Sequence, residues 1–184
     1  GVVTRLVSMG SLTIFGLIKG FQPIAGYSYG AKKFNRLYEA IKTSIIWSTI
    51  FCVVYGLILA LFSTSIVSQF ASGNLEMIKV GASSLRVNGI SLMLFGFYTV
   101  YSSLFLALGK GKEGFILGAC RQGICFVPVI LVLPMIWGLN GILYAQPVAD
   151  VLSAIITVFM AIHLHRELNE AEKQAAIAGT NEVH

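Results

Sequence analysis

Charge is what this chain has least of. Its 184 residues include 13 Lys or Arg and 8 Asp or Glu, 11% in all, against roughly 25% in soluble domains. There is too little polar surface to wrap a soluble domain, and the composition is far too apolar for disorder. Proline is scarce at 4 residues and cysteine at 3. Cys52, Cys120 and Cys125 have no CxxC spacing and no histidine nearby, so they read as small apolar packing residues, with neither a disulfide nor a metal site expected. There is no HExxH, no pair of carboxylates at catalytic spacing and no GxxxxGK[ST], so an enzyme is not expected. Gly109-Lys110-Gly111-Lys112 superficially resembles a phosphate loop but reads as a short basic turn. No basic surface with interleaved aromatics is present, which argues against nucleic acid as a partner. No cofactor is implied.

What fills the chain instead is apolar. Hydrophobic residues make up 56% and the mean hydropathy is +0.80. Five stretches, about 4–29, 43–67, 86–108, 114–137 and 141–164, each approach or exceed the ~20 residues that carry a helix across a bilayer. The expected class is an all-α membrane protein with membrane lipid as its surroundings. Lys32, Lys33, Arg36 and Lys42 fill the first gap, Lys110 and Lys112 the third, and Arg166 and Lys173 follow the fifth stretch. Cytoplasmic loops retain Lys and Arg, so these gaps and the C-terminus are predicted inside and the first residue outside, in a bacterial-type plasma membrane. The net charge of +5 follows from that bias and argues weakly for contact with anionic lipid. Residues 167–184 read as a polar cytoplasmic tail extending the last helix. His163 and His165, two apart, do not share a helix face. The chain opens on Gly1-Val2-Val3-Thr4 without Met, which reads as the C-terminal part of something longer.

Proline bends are expected in three spans, at Pro23, at Pro128 with Pro134, and at Pro147. Broken helices often border a polar cavity in transporters. Three ionisable side chains fall inside predicted hydrocarbon: Lys19, Arg121 and Asp150. Each costs roughly 2.5–3.5 kcal/mol at a helix centre, so each marks a candidate site. By helical rise, Lys19 lies ~15 Å from the cytoplasmic end of its span, and Asp150 ~14 Å from the outer end of the fifth. Asp150 either pairs with Arg121 or Lys19 to hold helices together, or serves as a midplane carboxylate that takes a coupling proton or cation. Gln22, Asn88, Gln122 and Gln146 are polar groups suited to the same pathway.

Gly20-Phe21-Gln22-Pro23-Ile24-Ala25-Gly26-Tyr27-Ser28-Tyr29-Gly30-Ala31 resembles the G-x-Q-P-x-x-G-Y-N-Y-G-A signature of the multidrug and toxic compound extrusion (MATE) family, with Ser28 where Asn is usual. Arg121-Gln122 followed by Pro128, then Gly138 to Ile142 and Ala145 to Asp150, are similar to the eleventh and twelfth helices of that family. The resemblance implies twelve helices in two six-helix lobes. The five spans would be helices eight to twelve, most of the C-terminal lobe, with the N-terminal lobe of the same longer chain as the missing partner. It also implies a secondary antiporter that exports organic cations and drugs in exchange for H⁺ or Na⁺ by rocking of the lobes. Gly20, Pro23, Gly26, Tyr27, Gly30, Pro128 and Pro147 are its signature and kink positions. The pathway candidates, taken from buried charge and polarity, are Lys19, Gln22, Asn88, Arg121, Gln122 and Asp150. The alternatives are a lipid-linked sugar flippase of the same superfamily, which would want several cations in its cavity, or a truncated product that does not transport.

Overall fold

A computed structural model describes residues 2–70 and 75–181. Among these the chain is helical almost throughout: α1 (Val2–Gly30), α2 (Phe34–Leu61), α3 (Ser63–Phe70), α4 (Leu75–Ala107), α5 (Gly111–Ala119), a π-helical turn (Cys120–Ile124), α6 (Phe126–Trp137) and α7 (Leu139–Asn181). Among the described residues three helices are long and apolar enough to cross a membrane: Phe34–Leu61, Leu75–Ala107 and Asn140–Ala178. α1 is also long enough at 29 residues but carries Arg5 and Lys19. The stretch expected at 114–137 is α5, the π turn and α6, of which α6 is a shorter apolar helix. The passes alternate in direction because the turns after α1, after α4 and between α6 and α7 are only one to three residues long.

α4 is the central element. Of its most apolar 18-residue window 61% is buried, against 22% in α2 and 33% in α7. α1 presents Ile14, Ile18, Phe21, Ala25 and Ser28 inward, a 4-3-4-3 spacing that keeps one face toward α2 and α4. α2 turns Ile46, Ile50, Val54, Leu57 and Leu61 outward, a stripe of the kind lipid covers. Between such helices the hydrophobic effect supplies little, because lipid tails are as apolar as leucine. Close packing and hydrogen bonds must hold the bundle.

Glycine makes the closest approach possible. A Cβ on Gly56 of α2 would overlap the Gly89 carbonyl oxygen of α4, and one on Gly89 would sit 2.8 Å from the Gly56 carbonyl oxygen. Two turns along, a Cβ on Gly96 would lie 2.9 Å from the Cys52 sulfur, so Cys52 fills the space that glycine leaves. Tyr55 Oη donates to the Leu6 carbonyl at 2.8 Å and ties α2 to α1. Cys120 and Cys125 are buried against Ala149, and all three cysteines are free thiols.

Helix ends depart from the hydropathy reading. The stretch expected at 43–67 is α2, which begins at Phe34 and ends at Leu61, followed by separate α3. Buried Phe34, Leu37 and Ile41 continue the helical stripe through a segment whose other face is charged. α4 starts at Leu75 rather than near 86, with Ala82 and Leu85 buried. The last helix runs unbroken from Leu139 to Asn181, ~64 Å at 1.5 Å per residue. The part of the tail expected at 167–181 is therefore docked helix, with Leu164 and Leu168 buried and Ala171 and Ala175 packed on the core. Residues 182–184 lie outside the described ones.

Helical backbone continues through Pro23 in α1, Pro134 in α6 and Pro147 in α7. Pro128 stands in the first turn of α6, where no intrahelical bond is lost, so it does not bend that helix from within. Its ring and missing N–H bear on the residue four before it. That residue is Ile124, the last of the π turn.

Both basic turns close by the same hydrogen-bond pattern. After α4, Lys110 N–H reaches the Phe105 carbonyl and Gly109 N–H the Leu106 carbonyl, with Gly109 at φ 77°. After α1, Lys33 N–H reaches the Ser28 carbonyl and Lys32 N–H the Tyr29 carbonyl. Here Lys32 takes the left-handed position at φ 53°, where glycine is the usual residue.

Candidate functional site

The π turn and α7 bring two of the three intramembrane charges together. Arg121 Nε donates to Asp150 Oδ1 at 2.7 Å, with the side chains only 14% and 5% exposed. Gln146, one turn earlier on α7, donates to the same oxygen at 3.1 Å. Ser91 of α4 donates to Oδ2. Each carboxylate oxygen thus has a donor, as a buried charge requires. The guanidinium also lies over the Phe95 ring, 4.4 Å from its centroid, a cation–π contact. Phe15 of α1 meets Phe95 edge-on at 5.9 Å. Tyr98 Oη donates to the Leu117 carbonyl at 2.9 Å and anchors α4 to the turn before Arg121. One side-chain cluster therefore joins α1, α4, the π turn and α7.

This cluster walls a cleft of about 1130 Å³ between α1 and α7, floored by α4. Ser8, Ser11 and Phe15 come from α1, Glu76, Ser84, Asn88 and Phe95 from α4, and Gln146 from α7, with Arg121 beside them. Asn88 donates to the Ser84 carbonyl at 2.8 Å. On α4 the positions 84, 88, 91 and 95 follow 4-3-4 spacing and so share a face. Among the described lining residues Arg121 is the one cation, and Asp150 balances it.

Of the sequence candidates, Arg121, Asn88 and Gln146 line this cleft, and Asp150 is buried against Arg121. Lys19 does not: it is exposed, and the alternative Lys19–Asp150 pair is not formed. Lys19 and half-buried Gln22 lie farther along α1, past the cleft-lining residue Phe15. At 100° per residue they continue the face of Ser8, Ser11 and Phe15. Neither lines this cleft. The Gln122 side chain lies outside the described ones. The signature positions Gly20, Pro23, Gly26, Tyr27 and Gly30 sit at the far end of α1; a Cβ on Gly26 would be 3.2 Å from the Ala107 carbonyl oxygen of α4, which makes this glycine a packing residue. Pro147 is half-buried three residues before Asp150, and Pro128 is exposed.

Gly26-Tyr27-Ser28-Tyr29-Gly30 has the letters of the GxSxG nucleophile elbow, which escaped the sequence reading above. The structure removes the inference: the segment is continuous α-helix, and Ser28 is fully buried with no hydrogen-bond partner for its hydroxyl. The sequence reading also missed Ser91, Phe95 and Glu76. Serine and phenylalanine carry no charge signal in an apolar helix, although the α4 spacing would have placed Ser91 and Phe95 beside Asn88.

At the other end of the bundle a second polar cluster fixes the tail. His165 stacks on Tyr38 at 6.0 Å and meets Tyr101 Oη at 3.0 Å. Tyr38 Oη donates to Asn169 Oδ1 at 2.9 Å, and Lys110 pairs with Glu167. The Lys110 hydrogen bond holds the Glu167 carboxyl below its ordinary value, and the charges of Lys110 and His163 add to this.

Known proteins match this arrangement. Multidrug export protein MepA of Staphylococcus haemolyticus is 27% identical over 168 residues, 91% of this chain and 36% of the relative. MepA of Staphylococcus aureus is 26% identical over 179 residues, 97% of this chain and 39% of its own. Among solved structures, the MATE multidrug transporter DinF-BH superposes with a TM-score of 0.81 at 36% identity, covering 89% of this chain and 36% of that one. A MATE structure in the bent conformation superposes with a TM-score of 0.84 at 20% identity, covering 94% of this chain and 38% of that one, a likeness of fold. The chain thus spans less than two-fifths of the length of these proteins. Residues 1–132 match the MatE family model, and the chain belongs to that family, the multidrug and toxic compound extrusion transporters.

Proposed function

We propose that the chain is the greater part of the C-terminal lobe of a secondary antiporter that exports organic cations in exchange for H⁺ or Na⁺. The observation that carries this reading is the Asp150–Arg121 pair in the wall of the cleft. An isolated guanidinium there would repel a cationic substrate. Paired with Asp150 it presents no net charge, and the exposed Phe15 ring remains available to a flat organic cation.

The same pair supplies the coupling device. A proton or sodium ion arriving at Asp150 competes with Arg121 for Oδ1. Losing that bond frees the π turn from α7 and changes the relative stability of two lobe arrangements, which is how a bound ion shifts a conformational equilibrium. Lys19 and Gln22 continue the cleft-lining face of α1 beyond Phe15. The flippase alternative finds no support in the cleft, where the one described cation is neutralised.

The test is efflux of an organic-cation dye from cells expressing the full-length protein. Asp150→Asn is expected to abolish ion-dependent efflux when the rate is normalised to the protein present in the membrane. Normal efflux with unaltered pH and sodium dependence would remove Asp150 from the coupling step. Loss of the protein from the membrane would mark the pair as structural.

A further inference from the structure

On the side of the bundle away from the cleft, α1 and α2 leave between them a groove of about 410 Å³. Its walls are Leu17, Phe21, Ile24 and Trp47, and its mouth, toward the basic α1–α2 turn, carries Arg36 and Glu39. Gly20 lies between Leu17 and Phe21, and a Cβ there would meet nothing within 4 Å, so the groove is open along its length. Trp47 is 62% exposed on α2, a helix long and apolar enough to cross a bilayer, and Ile24 is 47% exposed on α1. Arg36 and Glu39 are exposed, and neither forms an ion pair or hydrogen bond with another described residue.

We infer that this groove holds one membrane lipid, a zwitterionic aminophospholipid of the phosphatidylethanolamine type, with an acyl chain along the apolar walls, its phosphate on Arg36 and its ammonium on Glu39. The charge order decides the headgroup. A purely anionic lipid satisfies Arg36 but meets Glu39 with like charge. A primary ammonium has three N–H donors for the Glu39 carboxylate, whereas the trimethylammonium of choline has none. Choline would be held by an aromatic face instead, but Trp47 lies two turns from Glu39, ~12 Å along α2, too far for one headgroup to use both. The inference requires only a bilayer around the chain, so it stands or falls apart from the transport reading.

Trp47 reports on the groove directly. This sequence has two tryptophans, so Trp137→Phe, with Phe at any tryptophan elsewhere in the full-length protein, leaves Trp47 as the sole emitter. The full-length protein is reconstituted in phosphatidylcholine bilayers, and quenching is compared for ethanolamine, choline and glycerol phospholipids with the same brominated acyl chains. The ethanolamine lipid is expected to quench about three-fold more effectively than the choline lipid, the size of a partly exposed ion pair. Glu39→Gln should bring that ratio to about one, and Arg36→Gln should weaken quenching by all three lipids, which share the phosphate it reads. Equal quenching by the ethanolamine and choline lipids in the parent would overturn the inference, as would a preference that survives Glu39→Gln. Stronger quenching by the glycerol lipid would show that the mouth reads anionic charge alone, and would overturn it too.

Discussion

Asp150→Asn isolates the physics of the site in one substitution. The amide keeps the shape of the carboxylate, and its oxygen still accepts the bond from Gln146. What disappears is the charge that balances Arg121, a side chain 14% exposed that lies over the Phe95 ring. Two unit charges about 4 Å apart at an effective dielectric of ~20 attract by about 4 kcal/mol, and removing one partner of a buried pair costs roughly 3–5 kcal/mol. Loss of stability in that range is expected for Asp150→Asn. Arg121→Gln should cost somewhat less, because Ser91 and Gln146 still donate to the carboxylate. The double variant carries no unpaired charge and should recover about 2 kcal/mol or more relative to the sum of the singles. The measurement is denaturant unfolding of the chain in detergent micelles, followed by far-ultraviolet circular dichroism. Additive costs, or a cost below about 1 kcal/mol for Asp150→Asn, would show that cleft water screens the pair and would refute the assignment of a desolvated bridge.

Three further outcomes follow from the packing and the tail. Gly56→Ala should destabilise the α2–α4 contact by about 1–3 kcal/mol through overpacking, whereas Gly16→Ala, whose Cβ would meet nothing within 4 Å, should be neutral or stabilising; unfolding midpoints of the two variants decide it. Lys32→Gly removes a side chain from the left-handed position and should stabilise by about 1 kcal/mol, read as a higher unfolding midpoint; no change would mean that the turn is not strained. Because the Glu167 carboxyl is held below its ordinary value, its contribution to tail docking is complete above that value and is lost as pH falls through the lowered one. The side chain is 41% exposed, so the effect should stay under about 1 kcal/mol. It should appear as faster amide exchange in 164–181 at acid pH, and Lys110→Gln should abolish the difference.

The two readings of the chain drew on different signals. Hydropathy and alternating Lys and Arg marked the passes and their order, since bilayer thickness and charge cost act on local composition. The proline-glycine signature carried the family. The boundaries did not follow, because α2 and α4 continue past the apolar stretch on one packed face, visible only when the neighbour that buries Phe34 or Leu85 is known. Ser91 and Phe95 were silent for the same reason: neither is unusual in a membrane helix.

By itself, then, the sequence determined a helical membrane lobe, its family and three charges whose burial needed explaining. Tertiary structure decided which of those charges meet. Arg121 and Asp150 are 29 residues apart and find each other through the π turn, whereas Lys19 remains on an open face of α1. The reason is physical: insertion cost depends on a residue's own position along its helix, but the partner that neutralises a charge depends on how helices are rotated against one another. That rotation is set by close contacts such as Gly56 against Gly89, which no local pattern encodes.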